Sequence, residues 1–207
     1  MSAPEFFHRF VPGKTARTLL LFHGTGGDEE DLLPLGRALD PDAALLSPRG
    51  QVIENGMPRF FRRLAEGVFD EEDVIRRADE LAQFIRNFGE SNHVDPAAMT
   101  AVGYSNGANI AAAMMLLGVA PFGGAVLLRP MVPLLPNGRA NLSDNRTLLI
   151  GGRMDPIATA DEVSGLAELL RASGAAVDVR FADGGHGLTQ FDLATAREWL
   201  NADAWSG

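Results

Sequence analysis

The sequence predicts an α/β fold: a mostly parallel sheet with helices on both faces. Two observations carry that expectation. Short runs of strand-forming residues alternate with stretches of helix length, an order that yields parallel strands joined by crossover helices. Several strand candidates, residues 18–22 first among them, are also continuous apolar runs instead of alternating with polar residues, as strands covered on both faces are.

Taken in order, residues 5–10 offer an edge strand. Residues 18–22 (TLLLF) and 42–47 (DAALLS) are the first buried strands. A helix follows over 71–88, where Val74, Leu81, Phe84, Ile85 and Phe88 share one stripe and charges occupy the opposite side. Residues 99–104 (MTAVGY) form the next strand. The helix predicted over 107–117 is apolar nearly all round, so it is expected to be buried. Strands at 124–128 and 147–150 precede a helix over 159–172, which has Val163, Leu166, Leu169 and Leu170 at helical spacing. A strand over 177–181 and a helix over 189–201 complete the series. No repeat, low-complexity tract or linker interrupts it, so one domain over residues 1–207 is expected.

Composition narrows the function. The net charge is −9, and nucleic-acid binders need a basic surface to meet phosphate. The one basic cluster, Arg59-Phe60-Phe61-Arg62-Arg63, is short and is followed by acids at 70–73. The chain has no cysteine, which excludes disulfides, thiolate metal sites and cysteine nucleophiles. Residues 110–128 (IAAAMMLLGVAPFGGAVLL) are apolar enough to suggest a membrane span. However, Gly118, Pro121, Gly123 and Gly124 split them into pieces too short for about 30 Å of hydrocarbon. The first residues, MSAPEFFHRFVPGK, lack the apolar core of a signal peptide. A soluble, cytoplasmic protein is expected.

The chemistry centres on Gly103-Tyr104-Ser105-Asn106-Gly107, a G-x-S-x-G pattern between a predicted strand and a predicted helix. Such a strand–turn–helix holds a serine in a tight turn, with its hydroxyl at the strand end and the helix N-terminus beside it. On its own the pattern also fits a serine that merely caps the helix. A serine hydroxyl needs a base, and the base needs an orienting carboxylate. In the order Ser, Asp or Glu, His, only His186 of the four histidines follows Ser105. It lies in the glycine-rich Asp183-Gly184-Gly185-His186-Gly187, just past the last strand. For the acid, Asp155 stands at a strand end before Pro156. Asp183 competes, although so close to His186 that the loop would have to fold back. Asp161 and Glu162 look like first-turn helix acids, and Asp178 lies within a strand.

Acyl transfer also needs backbone N–H groups aimed at the developing oxyanion. Asn106, the residue after the serine, offers one. The loop His23-Gly24-Thr25-Gly26-Gly27 offers the other, from Thr25 first and Gly24 second. This loop matches neither phosphate-binding glycine pattern, and acids at 28–31 crowd it. His23 has no partner histidine at metal-ligand spacing.

The stretches LFHGTGGDEEDLLPL, SPRGQVIENGMPRFFRRLAEGVFDEEDV, VGYSNGANIAAAMM, GGRMDPIAT and GGHGL together span nearly the whole chain. They resemble the phospholipase/carboxylesterase family of α/β-hydrolases, and the first two resemble its bacterial carboxylesterase branch. The resemblance implies the α/β-hydrolase fold and a serine esterase with no metal and no cofactor. It places the nucleophile at Ser105, the acid at Asp155, the base at His186 and the oxyanion donors at Thr25 and Asn106. Thr25 departs from the thioesterase branch, which usually has an apolar residue there. Homodimers are common in the family, so a homodimer is an expectation of the same origin.

Between residues 128 and 147 there is a short loop and no inserted domain, so no lid is expected. Met131 and Val132 are candidates to line an open pocket. Phe60 and Phe61 either form another wall or pack in the core. Arg59 either attracts an acidic substrate or pairs with nearby acids. The resulting expectation is a carboxylesterase for small, soluble, short-acyl esters. The rivals are a thioesterase or lysophospholipase acting on longer chains, and a non-catalytic hydrolase-like binding protein.

Overall fold

A computed structural model describes residues 5–65 and 67–202 of the protein. Residues 1–4, which open the segment read against a signal peptide, lie outside the described residues. So do 66 and 203–207, all within the span of the expected single domain. The strands are β1 (His8–Val11), β2 (Thr18–Phe22), β3 (Ala44–Pro48), β4 (Val52–Glu54), β5 (Met57–Arg59), β6 (Arg63–Ala65), β7 (Val68–Phe69), β8 (Met99–Tyr104), β9 (Gly124–Leu128), β10 (Arg146–Gly152) and β11 (Ala176–Ala182). The helices are α1 (Leu33–Leu39), α2 (Glu71–Asn92), α3 (Asn106–Leu116), α4 (Ala160–Ala172) and α5 (Gln190–Asn201).

Seven strands form one sheet in the order β1-β3-β2-β8-β9-β10-β11. Only β1 runs antiparallel, with His8 opposite Pro48 and Val11 opposite Leu45. The edge strand expected over 5–10 thus forms further along the chain. The all-apolar run of β2 has the predicted cause. Leu20 and Phe22 enter a core shared with Val74 and Leu81 of α2, Ile110 of α3 and Val163 of α4. Leu19 and Leu21 enter a second core with Leu39 of α1 and Trp199 and Leu200 of α5. Each fully buried leucine contributes roughly 1.5–3 kcal/mol of hydrophobic free energy. α3 is buried along its whole length, as its sequence requires.

α2 starts at Asp70, whose side chain accepts the Asp73 N–H at 3.2 Å, and ends at His93 in the left-handed conformation. The features not anticipated from sequence are α1 and the strand pairs β4–β5 and β6–β7. α1 has seven residues, too few for helical periodicity to show. The hairpin β4–β5 turns at Asn55-Gly56, both with positive φ (53° and 78°), the turn that Asn-Gly favours between strands.

Because β2, β8, β10 and β11 are parallel, their carboxyl ends share one edge of the sheet. Every candidate catalytic residue lies just beyond one of these ends. No separate lid domain covers that edge among the described residues. Nor, among them, is any helix long and apolar enough to cross a membrane.

Candidate active site

Ser105 follows the last residue of β8 with φ 52° and ψ −113°, a positive φ costly for a residue with a side chain. The turn is tight enough to need glycine on both sides. A Cβ at Gly103 would lie 2.6 Å from the Ala108 Cα, and one at Gly107 would overlap the Phe22 carbonyl oxygen of β2. The serine side chain does not cap α3, so the capping alternative fails. Its Oγ lies instead 2.9 Å from Nε2 of His186.

His186 turns its other nitrogen, Nδ1, to Oδ2 of Asp155 at 2.8 Å. The Asp155 side chain is fully buried. Its Oδ1 accepts the Ile157 N–H at 2.8 Å and the Ala158 N–H at 3.1 Å. A carboxylate only accepts, so the bond network assigns the imidazole proton to Nδ1 and leaves Nε2 free to accept from the serine hydroxyl. The rival acid, Asp183, is 89% exposed and pairs with Arg153 at 3.0 Å. Glu162 accepts the Val132 N–H, and Asp178 accepts from the Trp199 indole. The structure therefore brings Ser105, His186 and Asp155 together and leaves the other carboxylates elsewhere.

Thr25, in the loop after β2, and Asn106, the first residue of α3, both line the pocket over Ser105. Neither backbone amide donates to another backbone group among the loop and turn bonds of the described residues. Both residues are braced by the end of β5 and the residue after it. Arg59 Nη1 donates to Thr25 Oγ1 at 2.9 Å, and the Phe60 N–H donates to Asn106 Oδ1 at 2.8 Å. Arg59 also faces Glu54 at 3.5 Å while it lines the pocket. Burial, and then the neighbouring Arg63 charge, lower its pKa. His23 is fully buried, with Nδ1 bonded to the Gly24 carbonyl at 2.7 Å and Nε2 accepting the Gly50 N–H at 2.9 Å. Burial pushes its pKa down, in keeping with a neutral ring whose two nitrogens are both occupied. It is a strut under the Thr25 loop. Among the described residues no three His, Asp or Glu side chains converge as metal ligands.

The pocket over Ser105 holds about 230 Å³, and its walls include Thr25, Tyr104, Met131, Ile157 and His186. Met131 stands where the sequence suggested. Val132 lines an adjoining hollow with Val68, Pro133 and Leu135. The wall reading of Phe60 and Phe61 is corrected: they are 3% and 0% exposed and pack in the core, against Phe22 and Phe69 respectively. Two aromatic side chains between arginines gain more free energy by leaving water than by rimming a polar pocket. Sequence reasoning missed Tyr104, whose hydroxyl donates to the His186 carbonyl at 3.2 Å, and Asn109, whose Oδ1 accepts the Met131 N–H at 2.8 Å. The position of Tyr104 inside the serine motif was a usable signal. An asparagine in an otherwise apolar helix was another.

A match to the dienelactone hydrolase family spans residues 53–207. The chain belongs to the dienelactone hydrolase family. Among its relatives is "Putative hydrolase MhqD" of Bacillus subtilis (strain 168), 47% identical over 192 residues, which cover 93% of this chain and 96% of the relative. Among solved structures, the Bacillus cereus carboxylesterase is 45% identical, with a TM-score of 0.91 over 94% of this chain and 92% of that one. A carboxylesterase from Mesorhizobium loti is 32% identical, with a TM-score of 0.89 over 95% of both chains. The resemblance to bacterial carboxylesterases read from sequence holds, and the fold is that of the α/β-hydrolases. This member of the dienelactone hydrolase family is an enzyme, a hydrolase of the dienelactone hydrolase and carboxylesterase type.

Proposed function

We propose that this hydrolase is a serine carboxylesterase acting on small, short-acyl esters through an acyl-enzyme. One observation carries the reading: the continuous chain from Ser105 Oγ to His186 Nε2 at 2.9 Å and from His186 Nδ1 to Asp155 Oδ2 at 2.8 Å. In this mechanism the Ser105 oxygen attacks the ester carbonyl carbon as its proton passes to His186 Nε2. The carbonyl oxygen becomes an oxyanion held by the Thr25 and Asn106 amides. Collapse breaks the bond to the alcohol oxygen, which leaves with the proton from Nε2. Water then attacks the acyl-enzyme, gives its proton to Nε2, and that proton returns to Ser105 as the acid departs. Asp155 holds the imidazole tautomer and stabilises its charged form.

The small cavity supports a small substrate, since drug-sized ligands occupy pockets of roughly 300–1,000 Å³. The adjoining hollow, walled by Val68, Val132, Leu134 and Leu135 with Glu71 at one side, favours one alternative, a longer acyl chain reaching past Gly67 and Phe69, which border both spaces. A series of p-nitrophenyl esters of increasing acyl length separates the two: the short-acyl reading requires activity to fall as the chain lengthens. The reading includes one domain, a cytoplasmic location and a homodimer. The first is supported by the single seven-stranded sheet, and the third by family resemblance alone.

The decisive test is Ser105→Ala on p-nitrophenyl acetate. Turnover is expected to fall about 10⁴-fold or more, and labelling by a fluorophosphonate to vanish. Turnover equal to that of the parent enzyme would remove Ser105 from the mechanism.

A further inference from the structure

We infer that Arg129 is the positioning residue of the histidine loop: its guanidinium, paired with Asp192, sets where His186 meets Ser105. The inference rests on the reading of His186 as the base.

Arg129 follows the last residue of β9 and has φ 54°, an uncommon conformation for a residue with a side chain. It is the largest fully buried side chain of the described residues. A guanidinium carries five N–H donors, and here each has an acceptor. Nε donates to the Gly185 carbonyl at 2.9 Å. Nη1 donates to the Ile150 carbonyl at 3.2 Å and to Asp192 Oδ1 at 2.8 Å. Nη2 donates to the Gly187 carbonyl at 3.0 Å and to Asp192 Oδ2 at 3.0 Å. The carbonyls on either side of His186 are therefore held by one rigid, planar group. The carbonyl of His186 itself is taken by Tyr104.

The loop needs such a clamp. Residues 184, 185 and 187 are all glycine, the residue with the most backbone freedom to lose. The base must nonetheless keep two hydrogen bonds at once. Asp192 ties the clamp to the scaffold: it lies in the first turn of α5, and its Oδ2 also accepts the Thr189 N–H at 2.6 Å and hydroxyl at 2.9 Å. The Ile150 contact adds β10, the strand that leads to Asp155. One side chain thus links the supports of base and acid. Stability does not explain it, because a buried ion pair seldom outperforms an apolar pair of the same size.

The test compares purified Arg129→Lys and the double variant Arg129→Met, Asp192→Asn with the parent enzyme. Lysine keeps the charge opposite Asp192, but one ammonium cannot hold both loop carbonyls. The double variant removes both charges and leaves an amide oxygen for Thr189. With p-nitrophenyl acetate, kcat is expected to fall about 10²-fold in each, as for a displacement of about 1 Å, with KM within threefold. Cooperative melting is expected to persist. A cooperatively folded variant of either kind with kcat within threefold of the parent would overturn the proposal. A merely structural role predicts that outcome for whichever variant regains the parent Tm. The wild-type protein supplies an arm independent of folding: backbone order parameters at Gly185, His186 and Gly187 should be near 0.85, and values below about 0.6 would equally overturn it. His186→Ala, run alongside, separates the two readings. Full activity there defeats the base assignment, whereas loss there with intact Arg129→Lys defeats only the clamp.

Discussion

Replacing Asp155 by asparagine should inactivate the enzyme by trapping the wrong tautomer. The two carboxylate oxygens have separate partners. Oδ1 accepts from the Ile157 and Ala158 amides at 2.8 and 3.1 Å, and Oδ2 faces His186 Nδ1 at 2.8 Å. An asparagine must keep its oxygen toward the two amides, so its NH₂ turns to Nδ1. An NH₂ only donates, which forces the imidazole proton onto Nε2, where it points at Ser105 and blocks proton transfer. The flipped amide would restore the tautomer at the cost of two unsatisfied N–H groups, one buried and one part-buried, about 1–3 kcal/mol each and so about 2–6 kcal/mol together. At about 1.4 kcal/mol per decade, the active form becomes roughly 30-fold to 10⁴-fold rarer. Loss of the charge that stabilises the imidazolium adds to this, and a comparable substitution in a serine protease costs about 10⁴-fold. The expected result with p-nitrophenyl acetate is a kcat reduced about 10³- to 10⁴-fold, with KM little changed. Thermal melting confirms that the variant is folded. A folded Asp155→Asn enzyme with kcat within tenfold of the parent would refute the tautomer argument.

Two further outcomes follow from the packing. Gly107→Ala places a methyl on the Phe22 carbonyl oxygen and 2.6 Å from the His23 oxygen, where ordinary contact begins at 3.4 Å, so α3 must retreat by well over about 0.8 Å (3.4 less 2.6, the Phe22 oxygen being nearer still). The nucleophile moves with it, and kcat/KM should drop about 10²-fold, while Gly138→Ala, with open space around it, should match the parent. Equal activity of the two variants would show that the turn is not tight. His23 supplies a pH dependence of stability. Its folded pKa lies below 6.5, so above pH 6.5 the ring is neutral in both states and folding is unpenalised. As pH falls below 6.5 the unfolded chain protonates first, and stability declines by up to about 1.4 kcal/mol per pH unit until the folded ring titrates as well. Denaturant unfolding between pH 7.5 and 5 should therefore show a steeper acid decline for the parent than for His23→Gln. Parallel curves would mean that the buried ring does not contribute.

Much of the fold is written in short-range patterns. Five all-apolar or nearly apolar runs became parallel strands because each had to be buried on both faces, and the G-x-S-x-G stretch carried its own steric demand for a turn. Chain order alone selected His186 as the partner of Ser105. Asn55-Gly56 was a usable hairpin signal that the strand pattern around it did not reveal, since few other pairs accept two positive φ angles in succession. What local pattern does not encode is which loops meet. The choice of Asp155 over Asp183 depends on the path after β10, which buries one carboxylate beneath His186 and leaves the other in water. Phe60 and Phe61 were equally suited to a wall or a core until the fold set Phe22 and Phe69 against them. Arg129 reads as a charge at the end of an apolar strand, and the four residues its guanidinium bonds lie 21 to 63 residues away along the chain. The residue types and their spacing thus define the strands, the turn and the nucleophile. The acid, the pocket walls and the supports of the histidine belong to the three-dimensional arrangement, because they arise where strand ends distant in sequence are brought side by side on one edge of a parallel sheet.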